Sequence, residues 1–426
     1  MYKKFNNKVR LDLFKLHDSK DTTKNWILCK GKALKIELKN LIEKTNLSNS
    51  QLIRHLINKL NISEPTADRL VYLRREWYPL IFINELVSIA NTSKYETQDK
   101  IEFLKSSRPP VRECKAVKEL TISLCKIAGT HAADGTMRDS YIAITDYHKS
   151  SILVLINWFN EFGYIPKLMQ IGENEWGVKF HSRIISRYLT KFFDFPSGCK
   201  QYTVTEPEII KNAPLDFRKA FALGALTFEA GIGMKHQVEF CVSSKDFRDS
   251  ISDILTRLEV PHISMEKQSS NYWRLWSKAL SQIEALKWLE LFEPNTEKWF
   301  KLNDYVNGFS KKVNSFEEAV YILNSIYPRQ SSSKIILKDV LLAIKDLKQT
   351  YRYELADYLT RKNNLESYGG KWAHSLRHYL DILKRANMIS VEKRKFGKKK
   401  SFGSVVREVY KFNEDFEKWR VPERHT

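Results

Sequence analysis

Apolar residues recur at helical spacing through most of the first hundred positions of the chain. Residues 33–45, 48–61 and 63–77 each read as an amphipathic helix. The second opens on a capping box, Ser48 with Gln51, and the third follows a very short turn with Pro65 in its first turn. Further along, helical runs at 149–163 and 245–259 follow short apolar runs at 141–146 and 237–244 that read as strands. Near the end, 335–348, 353–360 and 370–387 read as three helices, and 388–394 and 405–412 as the arms of a hairpin. The pattern is that of an α+β protein whose mixed centre is flanked by helical regions.

Two stretches of the centre are versions of one another: IAGTHAADG at 127–135 and ALGALTFEA at 222–230. Aligned on their glycines, Gly129 pairs with Gly224, Asp134 with Glu229, Gly135 with Ala230 and Met137 with Ile232. Each reads as a short apolar helix ending in one carboxylate. Gly129, Ala133 and Gly224 fit a seam where two helix backbones approach closely, a steric argument that holds outside membranes too. A carboxylate at a helix C-terminus faces the negative end of the macrodipole and is unfavourable there unless a cation offsets it. Packed side by side, the two helices would bring Asp134 and Glu229 together as hard oxygen ligands for a divalent metal, Mg²⁺ or Mn²⁺. Two carboxylates, metal ions and a phosphodiester describe metal-assisted hydrolysis.

The duplication continues downstream. Lys149 corresponds to Lys245, Phe159 to Leu255 and Trp176 to Trp273; the offset is 95 positions at the acids (134 and 229) and 97 at the tryptophans (176 and 273). That near-constant offset predicts two tandem copies of one helix–strand–helix–strand–helix unit. At its end the second copy has Ala230 where the first has Gly135. Glycine would tolerate a left-handed exit from the helix that strains alanine. Sliding the second copy by one, to end on Gly231, would put Ala230 in the acid's position and leave one half-site empty. The Met137/Ile232 match and the downstream repeat favour the alignment with Glu229.

On these residues the chain resembles the LAGLIDADG (dodecapeptide, DOD-type) homing endonucleases in their single-chain, two-repeat form. The stretches 195–201 and 215–227 also look like the connection into that family's second motif. The resemblance covers roughly residues 115 to 300. It implies a pseudo-twofold αββαββα core in which the motif helices form the central interface and Asp134 and Glu229 bind the catalytic metals. It also implies saddle-shaped sheets lying in the DNA major groove, with cuts across the minor groove. Lys200, Lys149 and Lys245 are the candidate basic residues assisting the reaction.

Charge agrees with a polyanionic partner. Of 426 residues, 71 are Lys or Arg against 50 Asp or Glu, a formal net charge of +21, which argues for double-stranded DNA ahead of a membrane surface. No apolar run approaches membrane-spanning length, and 1–10 lack the apolar core of a signal peptide, so an intracellular, cytoplasmic and nucleoid-associated protein acting as a monomer is expected. Five cysteines without a C-x-x-C pair indicate neither disulfides nor zinc. His131 reads as a structural residue rather than a ligand. Intein splicing is not expected, since the chain opens Met1-Tyr2 and ends His425-Thr426.

The boundaries read as 1–110, 111–302 (repeats about 115–205 and 206–302) and 303–426. The first is expected to be helical, with 92–112 as linker; its second and third helices resemble a helix-turn-helix carrying Arg69, Arg74 and Arg75, or else a plain bundle with a solvated basic face. The last resembles a winged helix. Lys371, Arg377 and His378 would face DNA from its third helix, and Lys398, Lys399 and Lys400 would meet phosphates from the wing, where the bland alternative is a solvated loop. Two functions remain open: a site-specific double-strand DNA endonuclease, or a catalytically weak LAGLIDADG-derived DNA-binding transcription regulator. What separates them is whether Glu229 lies close to Asp134 beside a water-accessible metal site.

Overall fold

The computed structural model describes residues 4–5, 8–18, 21–109, 111–173, 175–198, 200–233, 236–266, 272–278, 280–326, 335–365, 370–396 and 405–422. They form two compact units, Met1–Leu302 and Asn303–Thr426.

The first unit contains the duplication. One copy runs through the helix Ile122–Asp134, strands Thr136–Arg138 and Tyr141–Asp146, helix Lys149–Phe159, strands Leu168–Gly172 and Glu175–Phe180, and helix Arg183–Phe192. The other runs through Leu215–Glu229, Gly231–Ile232, Val238–Val242, Lys245–Arg257, Ile263–Glu266, Trp273–Trp276 and Gln282–Leu289 in the same succession. Each copy builds a four-stranded antiparallel sheet of the same order, its first strand beside the second, the second beside the fourth and the fourth beside the third. Reading single strands between helices misses half of them, because Thr136–Arg138 and Gly231–Ile232 are too short to show an alternation. Alternation decides the faces elsewhere. Ile142 and Ile144 in one sheet, and Val238, Phe240 and Val242 in the other, are buried beneath the helices.

The N-terminal part departs from expectation. Helices Leu34–Lys44, Asn49–Leu60 and Glu64–Val71 are present, the second with its Ser48/Gln51 capping box. They share the region with a four-stranded antiparallel sheet ordered Tyr78–Pro79, Ile27–Lys30, Phe103–Ser106 and Cys114–Lys115. The stretch 92–112 is therefore no linker: it carries the helix Lys94–Asp99 and an inner strand of that sheet. Strands this short, with two buried positions each, leave almost no periodic signal.

Nor does 1–110 stand apart from the repeats. The guanidinium of Arg187, on the last helix of the first repeat, donates to both carboxylate oxygens of Asp21 at 2.8 and 3.2 Å and to the Leu16 carbonyl at 3.3 Å. Burial pushes the Asp21 carboxyl up, but hydrogen bonds from His17 and Arg187 outweigh it and bring it down to about 2.

The third helix stops at Val71, earlier than its periodicity suggests. Leu73 turns left-handed at φ +50°, and a Schellman pair closes the end, Leu73 N–H donating to the Leu70 carbonyl and Arg74 N–H to that of Arg69. Leucine in this conformation costs about 1–2 kcal/mol, offset by burying its side chain. Arg69 thus lies on the helix, while Arg74 and Arg75 fall beyond it.

The second unit packs helices Phe316–Ile326, Leu337–Leu347, Arg352–Lys362 and Gly370–Arg385 with a three-stranded antiparallel sheet. Strands Ile389–Phe396 and Val405–Phe412 pair along their whole length, and Gln349–Tyr351 adds to the free edge of the latter. Leu341, Ile344, Leu359, Leu380 and Leu383 centre its core. Trp419 closes it, its ring buried while its indole N–H donates to the Asn413 carbonyl at 3.0 Å. On the third predicted helix Arg377 is exposed and His378 half-buried; the Lys371 side chain and Lys398, Lys399 and Lys400 lie outside the described residues. Among the described residues no helix is long and apolar enough to cross a membrane.

Candidate metal and nucleic-acid site

The two motif helices meet backbone to backbone. A Cβ on Gly129 would stand 1.9 Å from the Phe221 carbonyl oxygen, and one on Gly224 would stand 2.1 Å from that of Lys126. The same 95-residue shift that maps Gly129 onto Gly224 maps Lys126 onto Phe221, so the seam is symmetric about the duplication. Thr130 ties it, its hydroxyl donating to the Gly224 carbonyl at 3.2 Å. Ala133 is half-exposed and lines the cleft beside Asp134 instead.

That cleft, about 450 Å³, opens at the C-terminal ends of both helices and is lined by Asp134, Glu229 and Lys200, with Gln201, Ser243 and Tyr272 at its sides. Asp134 is exposed to it yet sits in a dense shell of protein. Burial pushes its carboxyl up to about 6 against the opposing pull of Lys200. Burial also lifts Glu229 to about 7, and the charge of Asp134 contributes to that rise. The acids are thus close enough to feel one another. Glu229 occupies the acid's position at the end of the second helix, and the one-residue slide that would put Ala230 there does not describe the fold.

Two lysines answer them. The Lys200 ammonium donates to the His131 carbonyl and, at 2.7 Å, to that of Ala132, capping the end of the first motif helix. The Lys298 ammonium donates to the Phe228 carbonyl at 2.6 Å at the end of the second. Burial lowers both ammonium groups to about 8, and Asp134 and Glu229 pull each back up. Lys298 went unread in the sequence, although it lies 98 positions after Lys200, close to the offset of the repeat. Lys149 and Lys245, the other basic candidates, are elsewhere: Lys149 lies 5.0 Å over the Trp176 ring, and Lys245 pairs with Asp249 at 2.6 Å.

The exits from the two helices differ from expectation. Gly135 leaves at φ −78°, ψ 141° and Ala230 at φ −69°, ψ 139°. Both are extended, so alanine is unstrained. What requires glycine at 135 is the neighbour: a Cβ there would lie 2.2 Å from Nδ1 of His131, a buried residue packed on Phe195. In the second repeat the shift of 95 places Leu226 opposite Ala230. Gly135→Ala should therefore destabilise the chain by about 1–2 kcal/mol, and pairing it with His131→Leu, which copies the second repeat, should restore most of the loss. Thermal unfolding of the two variants measures this.

Among the described residues no group of three or more His, Cys, Asp or Glu side chains is arranged to hold a metal. The donors on offer are the two carboxylates. They fit a hard ion that takes one or two protein ligands and completes its shell with water and phosphate oxygens.

No known family's sequence model matches the chain, and no curated protein is similar to it in sequence. Among solved structures it is similar to I-DmoI in complex with DNA and Mn, at 13% identity and TM-score 0.30 over 40% of this chain and 94% of that one. It is also similar to mesophilic variants of the homing endonuclease I-DmoI, at 15% identity and TM-score 0.30 over 40% of this chain and 93% of that one. Full-length DUF199/WhiA from Thermatoga maritima matches at 13% identity and TM-score 0.30, over 62% of this chain and 92% of that one.

Proposed function

We propose that the chain is a Mg²⁺- or Mn²⁺-dependent double-strand DNA endonuclease of homing type, acting at a long recognition site. The observation that carries this reading is the pair of acids at the ends of two glycine-seamed helices, each end capped by a buried lysine. Asp134 and Glu229 would hold the ions. Bound there, a divalent metal activates water and stabilises the leaving oxygen of a phosphodiester. The Lys200 and Lys298 ammonium groups, lowered to about 8, remain mostly protonated at neutral pH. They offset charge on the phosphate oxygens at fixed positions, the preorganised arrangement that favours the transition state over the ground state.

DNA would lie along the sheets, where cations stand over aromatic rings. Lys179 is 4.0 Å from the Tyr141 ring, and Arg274 is 5.4 Å from that of Trp276. Arg69, Arg377 and the hairpin arms of the second unit would add phosphate contacts, so affinity should fall steeply with salt. Cleavage of a randomised duplex library with Mg²⁺ or Mn²⁺ tests the reading. Discrete double-strand breaks that EDTA abolishes are expected, and uncut but tightly bound duplexes would replace it with the regulator. The hairpin-bearing unit fits either function. The altered motif end no longer favours the regulator, because Ala230 keeps the backbone of Gly135.

Acidity should control metal loading. The folded-state carboxyls, at about 6 and about 7 against ordinary values of 3.8 and 4.5, hold protons that the unfolded chain has already released. Metal-free stability therefore falls as pH rises from about 4 to 7. Metal binding must expel those protons, so Mn²⁺ affinity should rise over the same window and level off near pH 8. Calorimetry in buffers of different ionisation heat should find between one and two protons released per loaded site near pH 6, and almost none at pH 8.

A further inference from the structure

A second cleft lies in the N-terminal part, away from the acid pair. It encloses about 740 Å³, within the roughly 300–1,000 Å³ typical of small-molecule sites. Its floor is apolar and aromatic, formed by Leu34, Leu73, Tyr78 and Phe103. Its rim is cationic: Lys30, Lys32, Lys35, Arg74 and Arg75.

The acids of this cleft are already engaged. Glu76 pairs with Lys30 at 3.4 Å, and Glu102 accepts the backbone N–H of Lys32 at 3.0 Å. Among the described residues no carboxylate lies within ion-pair distance of the side chains of Lys32, Lys35 or Arg75, whereas Arg74 pairs with Asp68 at 3.3 Å. The left-handed turn at Leu73 presents Arg74 and Arg75 to the cleft rather than to the helix surface. Both arginines also line an adjoining cleft of about 500 Å³ that includes Arg69 but only Pro65 as an apolar wall.

We propose that this pair of clefts binds a nucleoside polyphosphate, with its base on the apolar floor and its phosphates running across Arg74 and Arg75 toward Arg69. The shape separates this ligand from duplex DNA, whose stacked bases have no route to a recessed apolar floor. The charge separates it from an uncharged aromatic, since three cations on the rim have no carboxylate partner and guanidinium groups match phosphate oxygens in pairs. The second cleft offers no seat for another base, so a triphosphate tail fits it better than the next nucleotide of a strand.

The test is fluorescence anisotropy of methylanthraniloyl-ATP on the full chain in EDTA, which prevents metal-mediated attachment of phosphates to Asp134 and Glu229. Unlabelled ATP should displace the probe, with pyrophosphate and adenosine each at least tenfold weaker. Arg75→Gln and, independently, the exposed Lys35→Gln should each weaken binding about tenfold with unchanged melting temperature. Asp134→Asn should bind like the unsubstituted chain, which keeps this result separate from the nuclease reading. Photolabelling with 8-azido-ATP should mark peptides spanning residues 30–35 or 69–78. Pyrophosphate competing as well as ATP would reduce the cleft to a patch of charge. A short single-stranded oligonucleotide displacing the probe where ATP does not would give it to a nucleic-acid strand. Either result, or binding indifferent to Arg75 and Lys35, overturns the proposal.

Discussion

Asp134→Asn is expected to lower double-strand cleavage by about 10³-fold or more while leaving DNA affinity unchanged or slightly tighter. The amide keeps the size of the carboxylate and loses its charge, so the helix seam and the Lys200 cap remain in place. What disappears is one of two oxygen ligands in a cleft that offers no third acidic or histidine donor among the described residues. Several kcal/mol of transition-state stabilisation depend on metal held there, and each 1.4 kcal/mol is about tenfold in rate. Affinity behaves differently because phosphate contacts spread over the sheets set it, and removing an anion that faces DNA can only help. Glu229→Gln should be as damaging, and the double variant little worse than either single one, because residues acting as a unit lose their effect together. A metal-free readout accompanies the kinetics. The charge of Asp134 is part of what holds Glu229 near 7, so Glu229 should titrate lower in Asp134→Asn, visible by carboxyl-carbon NMR. Near-normal cleavage by either single variant would remove the acid pair from the mechanism.

The parts of this site that were legible in the sequence are those the duplication prints twice. Gly129 and Gly224, Asp134 and Glu229 could be paired because each copy supplies the other's reference, and the steric reason given for the glycines is the one their surroundings bear out. Gly135 was read for the wrong reason. Glycine at a helix end suggests a left-handed turn, and only the position of the His131 ring reveals that close contact, not backbone conformation, requires it. Lys298 was hidden because it falls beyond the last obvious motif, in a helix that begins at Glu297. A lysine acting by reaching back to a carbonyl leaves no local pattern.

The N-terminal sheet and the early end of the third helix share a cause. Four-residue strands and a leucine at φ +50° are selected by tertiary burial, which overrides the local propensities a single sequence displays. The hairpin of the second unit was readable because its arms are long enough to alternate, whereas Gln349–Tyr351, the strand on its edge, was not.

Gly129→Ala and Gly224→Ala should each destabilise the first unit by about 3 kcal/mol or more, and together should prevent it from folding. Elsewhere in a helix the same change would gain helix propensity, about 1 kcal/mol, so the sign here is set entirely by the seam. A methyl group 1.9 Å from the Phe221 carbonyl, or 2.1 Å from that of Lys126, meets backbone on the facing helix. Unlike the His131 ring beside Gly135, that backbone has no rotamer with which to move aside. The helices must separate by more than an ångström, which breaks the Thr130 hydrogen bond to Gly224 and opens the packing beneath both sheets. The acids lie at the ends of those same helices, so separation would carry Asp134 and Glu229 apart as well. A fall of roughly 6–12 °C in melting temperature is expected for each single variant. In whatever fraction remains folded, Mn²⁺ affinity should weaken in step with the separation, although neither glycine touches the cleft. Metal affinity that survives intact in a destabilised Gly129→Ala would mean the acids are held by their own surroundings, and that the seam serves folding alone.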